Sequence, residues 1–190
     1  MVKFAVVCAS NMNRSMEGHL VLSHASKNVK SFGTGTKVRL PGDSIERPNV
    51  YNFGTPYEYI YKDLKKKNPA LYTKNGLFSM LERNMNIKEA PQKFQDNDEQ
   101  FDVIITCEER VFDAVCQELL LRKGQFGKPV HVINVEIRDN HVDASKGGDT
   151  IRKLSDMITE SKDLERDIED ILETVQKECP HSLLYNHIFY

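Results

Sequence analysis

The sequence carries no excess of either charge, no long apolar run and no paired cysteines, and each absence removes a class of function. Among its 190 residues, 26 Lys and Arg stand against 28 Asp and Glu, a formal net charge of −2. A protein that grips duplex DNA through its phosphates shows a basic excess or a basic stripe. The one basic run here, Lys65-Lys66-Lys67, reads as a solvated face, and no direct nucleic-acid binding is expected. Nothing approaches the roughly 18 consecutive apolar residues of a membrane span, so no membrane association is expected. The opening Met1 to Cys8 is too briefly apolar for a signal peptide, because Asn11, Asn13 and Arg14 follow at once. The expected setting is a reducing compartment. Cys8, Cys107, Cys116 and Cys179 are scattered, without CxxC pairing or zinc-site spacing; a cysteine that matters here matters as a thiolate. Glycine and proline are also few, 10 and 7, beside 39% hydrophobic residues, which excludes collagen-like and disordered chains. A chain of this length buries roughly 70% of its unfolded surface and fits one domain, residues 1–190.

What is present is an α/β grammar. Val2 to Val7 is a short apolar run rich in β-branched residues, the pattern of a buried strand. A polar loop, Ala9 to Asn13, leads into helical periodicity from Arg14 to about Lys27, and Val29 to Phe32 predicts a second strand ending in Gly33-Thr34-Gly35. That βαβ opening sets the first loop at the carboxyl end of a strand, where open α/β sheets hold their ligands. The pattern returns with a strand at Phe101 to Thr106, a helix at Glu108 to Leu121, a turn at Gly124 to Pro129 and a strand at Val130 to Val135. Helices are expected at Thr150 to Thr159 and Asp163 to Lys177, and the apolar tail Ser182 to Tyr190 reads as a docked strand or arm. Residues 36–98 break the rhythm with five prolines and two short helical patterns, Tyr57 to Lys67 and Gly76 to Arg83, before the polar Gln95 to Gln100. Lying between the two halves of the sheet, this region reads as a cap inserted over the ligand-binding end; irregular surface decoration is the alternative.

The informative segment is Cys8-Ala9-Ser10-Asn11-Met12-Asn13-Arg14-Ser15. A cysteine fed by a strand, five residues, then an arginine opening a helix allow successive backbone N–H groups to converge on one centre, an anion nest backed by a helix end. The helix end and the arginine favour a thiolate at Cys8. Arg14 offers a planar fork for two phosphoryl oxygens, which lysine lacks. Ser15 can donate to the sulfur, and Asn11 and Asn13 can brace tight turns. Singly, each residue has an ordinary explanation: Cys8 an inert core cysteine, Arg14 a solvated first-turn residue, Ser15 a helix cap. The spacing in strand–loop–helix context points to a phosphoryl thiolate site. Neither a nucleotide P-loop, GxxxxGK followed by Ser or Thr, nor a complete dinucleotide loop is present. A thiolate displacing an alkoxide from phosphorus needs an acid for the leaving oxygen, and the loop after Val130 to Val135 supplies Glu136, Asp139 and Asp143, among which position alone does not choose.

The loop resembles that of the eukaryotic phosphatases of the RNA polymerase II C-terminal domain, which act in transcription and pre-mRNA 3′-end processing. The resemblance continues through Ser31-Phe32-Gly33-Thr34-Gly35, Leu40-Pro41-Gly42, Pro48-Asn49-Val50-Tyr51, Met80-Leu81-Glu82-Arg83-Asn84, Thr106-Cys107-Glu108-Glu109-Arg110-Val111 and Asp139-Asn140-His141. It implies a three-layer α/β sandwich with a central mostly parallel sheet, like low-molecular-weight tyrosine phosphatases, with the cap inserted. It implies a cofactor-free and metal-free serine phosphatase acting through a phosphocysteine on the fifth serine of the polymerase heptad, with the following proline cis. Cis X–Pro is a minority state, about 5–30% in flexible chains, so functional coupling to a prolyl isomerase is expected. On this resemblance Cys8 is the nucleophile, Arg14 the phosphate-binding arginine and Asp139 the general acid, with Glu136 second. Ala9, Ser10, Asn11, Met12, Asn13, Arg14 and Ser15 form the phosphate loop, and Met12, Pro41 and Met80 the substrate groove. The implied partners are the phosphorylated polymerase tail and the scaffold protein of the 3′-end-processing complex; the implied location is the nucleus, with the cytoplasm second. The loop has no second cysteine, and Asn140 rather than proline follows Asp139. A tyrosine phosphatase or arsenate reductase on the same fold, or a non-catalytic phosphopeptide-binding module, are the alternatives.

Overall fold

Alternation along the first strand sets the layering. The computed structural model describes residues 1–124 and 126–190, and β1 (Lys3–Cys8) lies inside a five-stranded sheet of order β2-β1-β5-β6-β7. Its neighbours are β2 (Asn28–Gly33) and β5 (Val103–Thr106), with β6 (Pro129–Val135) and the edge strand β7 (Leu183–Phe189) beyond β5. The first four strands run parallel, and β7 returns antiparallel to β6 with Pro129 opposite Phe189 and Val135 opposite Leu183. The apolar tail is thus a strand.

Phe4, Val6 and Cys8 face one side with Val103, Ile105, Ile133 and Val135, and α1 (Arg14–His24), α6 (His141–Glu160) and α7 (Leu164–Glu178) cover that side through Leu22, Ile151, Leu154, Ile158, Ile168, Ile171 and Val175. Ala5 and Val7 face the other with Ile104, Val130 and Val132, covered by Val111, Val115 and Leu119 of α5 (Glu109–Leu121) and by Phe32, Phe94 and Phe101. Burial on both faces explains why these strands are continuous apolar runs. Each such aliphatic side chain contributes about 1.5–3 kcal/mol. The three-layer sandwich with a mostly parallel sheet is the architecture expected.

Residues between β2 and β5 build a third apolar cluster. An antiparallel hairpin, β3 (Val38–Ser44) and β4 (Arg47–Tyr51), packs with α2 (Tyr57–Lys67), α3 (Pro69–Lys74) and α4 (Leu77–Met85). Val38, Leu40, Tyr57, Ile60, Leu64, Tyr72 and Leu81 enclose Met12 and Met16, which come from the first loop and α1.

The structure departs from the sequence pattern in two places. The helix expected at Thr150 begins at His141, because Asn140 caps it, its Oδ1 accepting from Asp143 N at 2.8 Å. Gly147-Gly148 disguises this start, since interior glycine costs about 1 kcal/mol against alanine. Here glycine is required: a Cβ on Gly147 would lie 2.6 Å from Ile137 Cγ1. Asp143 therefore belongs to the first turn of α6, not to a loop. The hairpin and α3 are elements that the sequence pattern does not announce. Of the turn expected at Gly124 to Pro129, Gln125 lies outside the described residues.

α1 meets β2 through His19, whose Nδ1 lies 2.8 Å from Ser31 Oγ. Burial, then the nearby Lys88 charge, lower the His19 pKa to about 4. The folded state therefore binds fewer protons than the unfolded chain between about pH 4 and 6.5, and stability falls as pH falls through that window. The expected loss is about 2 kcal/mol. Urea midpoints at pH 7 and 4.5 check this: His19→Gln, which keeps a partner for Ser31, should lose much less over the same interval.

Candidate active site

The loop between β1 and α1 is held by its carbonyls from outside, which turns its amides inward. Cys8 O and Ala9 O accept from Thr34 N and Gly35 N at 3.0 and 2.9 Å. Asn11 O accepts from Tyr57 Oη at 2.8 Å. Met12 O accepts from Asn84 Nδ2 at 2.8 Å and Arg83 Nη2 at 2.9 Å. Among the described residues, no acceptor takes the backbone amides of residues 10–14. Nor does a side chain cap α1: Asn13 precedes it without a capping hydrogen bond. Free amides backed by a helix end are what an anion nest requires.

Asn11 makes the turn. Its φ of 54° is left-handed, a conformation asparagine tolerates better than most side chains. The buried amide offsets this: Nδ2 donates to Ser15 Oγ at 3.0 Å, and Oδ1 accepts from Gln92 N at 3.0 Å. Ser15 Oγ lies 3.0 Å from Cys8 Sγ. With Asn11 occupying a lone pair of that hydroxyl, its proton is free to point at the sulfur, which suits a thiolate. Asn11, expected only to brace a turn, thus also touches the Ser15 hydroxyl that is expected to donate to the sulfur.

Arg14 is 5% exposed. Its Nη1 donates to Glu108 Oε2 at 2.8 Å and to Ile137 O at 3.0 Å, while among the described residues Nε has no hydrogen-bond partner. Burial opposes the charge, but Cys8, Asp139 and Glu108 outweigh it and raise the pKa. The guanidinium stays charged, with one edge anchored and another free.

The three carboxylates of the β6–α6 region separate by geometry. Asp139 is exposed at the cleft rim, accepts from Asn13 Nδ2 at 3.0 Å, and its Oδ1 lies 3.7 Å from Arg14 Nε. Asp143 is engaged with Asn140, whose Nδ2 donates to it at 2.7 Å. Glu136 turns away to the start of α5, accepting from Glu109 N at 3.0 Å and Asn134 Nδ2 at 2.9 Å. Only Asp139 among the three lines the cleft with Cys8 and Arg14. Met12, Pro41 and Met80 line it too, as do Ala9, Ser10 and Asn13. Asn11 and Ser15 lie behind the loop, both buried.

Several participants carry no signal in the sequence motif: Glu108 on Arg14, Tyr57 and Arg83 on the loop carbonyls, and Arg39, Leu77 and His141 on the cleft wall. Asn84, which holds Met12 O, is the exception, a polar residue on the apolar side of a helix. Cys107 is a neighbour of Cys8: its amide donates to Val7 O at 3.0 Å and both side chains lie in one apolar cluster. Burial, then the adjacent Cys8, push the Cys107 thiol well up, which keeps it neutral.

Comparisons with known proteins agree along the whole chain. A family model described as "Ssu72-like protein" matches residues 2–190. The RNA polymerase II C-terminal domain phosphatase of Xenopus laevis is 48% identical over 189 residues, covering 100% of this chain and 97% of that protein. Its Schizosaccharomyces pombe counterpart is 52% identical over 162 residues, covering 85% and 82%. Among solved structures, the Drosophila melanogaster serine phosphatase of the RNA polymerase II CTD superimposes with a TM-score of 0.96 at 45% identity over 100% of both chains. D. melanogaster Ssu72 with Symplekin, bound to a cis peptidomimetic of the CTD phosphorylated on its fifth serine, gives 0.96 at 44% identity, covering 100% and 98%.

Proposed function

This chain belongs to the Ssu72-like protein family, and from that premise we propose that it is a cysteine-dependent serine phosphatase of the RNA polymerase II tail. The observation that carries the reading is the convergence of Cys8, Arg14 and Asp139 on a loop whose free amides face one cleft. The chemistry follows in two steps. The Cys8 thiolate attacks phosphorus in line with the serine oxygen, forming the S–P bond as the P–O bond breaks. Loop amides and Arg14 stabilise the equatorial oxygens, and Asp139 gives its proton to the departing serine oxygen. Asp139, now a carboxylate, takes a proton from the water that attacks the phosphocysteine, and the cysteine leaves as thiolate with Ser15 donating to it. Inorganic phosphate is released and every group regains its starting state.

The substrate is the phosphorylated fifth serine of the heptad with the following proline cis. The relative solved with a cis peptidomimetic phosphorylated at that serine supports this, as do apolar Met12, Pro41 and Met80, which suit a bent Ser-Pro segment. Residues 36–98 act as the cap that carries Pro41 and Met80. The 3′-end-processing scaffold is the proposed partner, as Symplekin accompanies the Drosophila relative. Nuclear action, and functional coupling to a prolyl isomerase that refills the cis pool, follow from the same substrate.

The test is phosphate release from heptad peptides phosphorylated at the fifth serine, with the proline locked cis or trans. Turnover is expected on the cis peptide and not on the trans one. Asp139→Asn should cut kcat by about 100-fold and remove the limb of the pH–rate profile that reports the acid. Equal rates on both peptides would overturn the cis reading; tight binding without turnover would make the protein a phosphopeptide reader. An unimpaired Asp139→Asn would move the acid's role to another residue.

A further inference from the structure

We propose that Glu108 is a positioning residue for Arg14, and that what it supplies is reach and not charge. The inference deepens the phosphatase reading and rests on it. A guanidinium presents five N–H groups in one rigid plane. Glu108 Oε2 at 2.8 Å and Ile137 O at 3.0 Å take both hydrogens of the same nitrogen, Nη1. Two anchors on one nitrogen fix both the plane of the group and its rotation. The opposite edge, Nε and Nη2, is then the edge presented to a ligand, and among the described residues Nε has no acceptor. Asp139 Oδ1, at 3.7 Å from Nε, is beyond hydrogen-bond length. That edge is the one that binds two phosphoryl oxygens side by side.

Glu108 is itself held rigidly. It immediately precedes α5 in extended conformation, and the start of α5 is fixed by Glu136, whose carboxylate accepts from Glu109 N. Glu136 is fixed in turn by Asn134, and Asn134 by Thr106 Oγ1 at 2.8 Å. This chain of polar contacts crosses the carboxyl ends of β5 and β6 and ends at the amide of Glu109, the residue next to the one holding Arg14. Its inner members, Thr106 and Asn134, are buried, while Glu136 and Glu109 are exposed, so the chain is anchored in the core and reaches the surface at the start of α5.

Charge alone does not account for a carboxylate here. Glu108 holds a carboxylate 2.8 Å from Arg14, and an anion so near the site repels an incoming phosphoryl group. A neutral side chain of equal length would hold Nη1 without that repulsion, whereas a shorter carboxylate would keep the repulsion and lose the contact. The contrast between Glu108→Gln and Glu108→Asp therefore separates reach from charge.

The experiment measures inorganic phosphate binding by calorimetry and steady-state hydrolysis of para-nitrophenyl phosphate for wild type, Glu108→Gln and Glu108→Asp. Glu108→Asp is expected to weaken phosphate binding and lower kcat/KM by at least about tenfold, the factor that 1.4 kcal/mol represents. Glu108→Gln should stay within about threefold of wild type on both readouts. Wild-type behaviour of Glu108→Asp, or a Glu108→Gln as impaired as Glu108→Asp, would overturn the proposal. If thermal melts show Glu108→Asp unfolded, Glu108→Ala against Glu108→Gln carries the same contrast. Failure of the phosphatase reading is distinguishable: wild type would bind phosphate without hydrolysing any ester, and the difference in phosphate affinity would still decide the role of Glu108.

Discussion

Cys8→Ser is expected to lower phosphate release by about 10⁴-fold or more while leaving phosphopeptide affinity within about tenfold of wild type. The two halves have separate physical causes. A serine hydroxyl at this position stays protonated, and among the described residues the side chain that meets it is Ser15, at 3.0 Å from the sulfur it would replace. Ser15 is itself engaged by Asn11 as a donor, so it serves as a proton donor and offers no base. The nucleophile is therefore lost outright. The loop amides, Arg14 and the apolar wall are untouched by the substitution, so ground-state binding persists, the pattern of an interaction needed only for the chemical step. The substitution is nearly isosteric, and burying a hydroxyl beside Ser15 and Asn11 costs about 1 kcal/mol at most. Single-turnover release from the cis-locked peptide, with acid quenching to trap phosphocysteine in wild type, checks both halves. Residual release within 100-fold of wild type would refute Cys8 as nucleophile, as would a wild-type intermediate on any residue other than Cys8.

Which parts of the molecule can be read from sequence follows from which interactions are local. β1, β5 and β6 are buried on both faces, so their runs are continuous and apolar, and the spacing from Cys8 to Arg14 is a contiguous property of one loop. The tail, unusually apolar for a terminus, has its partner in β6. The hairpin β3–β4 is hidden by Pro41, Gly42 and Pro48, which read as breakers; a two-stranded ribbon with a register shift between Leu40 and Ser44 tolerates them, because prolines are admitted on edges and at bulges. α3 is six residues long and starts on Pro69 with Asn68 as its cap, too short for periodicity to register. Glu108 is invisible for a different reason. Its contact with Arg14 spans 94 residues, and nothing about a glutamate at a helix start announces a partner at the start of another helix. The same holds for Arg83, which reaches Met12 O across more than 70 residues of chain. The nucleophile and its loop are local; the contacts that aim them are tertiary.

Arg14→Lys is expected to reduce kcat/KM by about 10³-fold, roughly 4 kcal/mol of transition-state stabilisation, although the charge is conserved. The buried site asks the side chain to do two things at once: anchor to Glu108 and Ile137 O through Nη1, and present a second edge to phosphate. A guanidinium does both because its donors diverge within one plane; an ammonium on a flexible stem is a single point. Lysine must either remain with Glu108, at the charge-paired bottom of the site, or leave it for phosphate. The second choice strands a carboxylate that is only 21% exposed and frees the carbonyl of the buried Ile137, which costs about 1–3 kcal/mol. The effect should fall mainly on kcat. As the phosphoryl group flattens in the transition state its equatorial oxygens spread to match the bidentate edge, so the geometry that lysine lacks is worth most there. Steady-state kinetics on the phosphoserine peptide, with urea midpoints measured alongside, decide the matter. A loss smaller than tenfold would show that charge alone suffices at position 14, and would remove the reason for Glu108 to hold a fork in place.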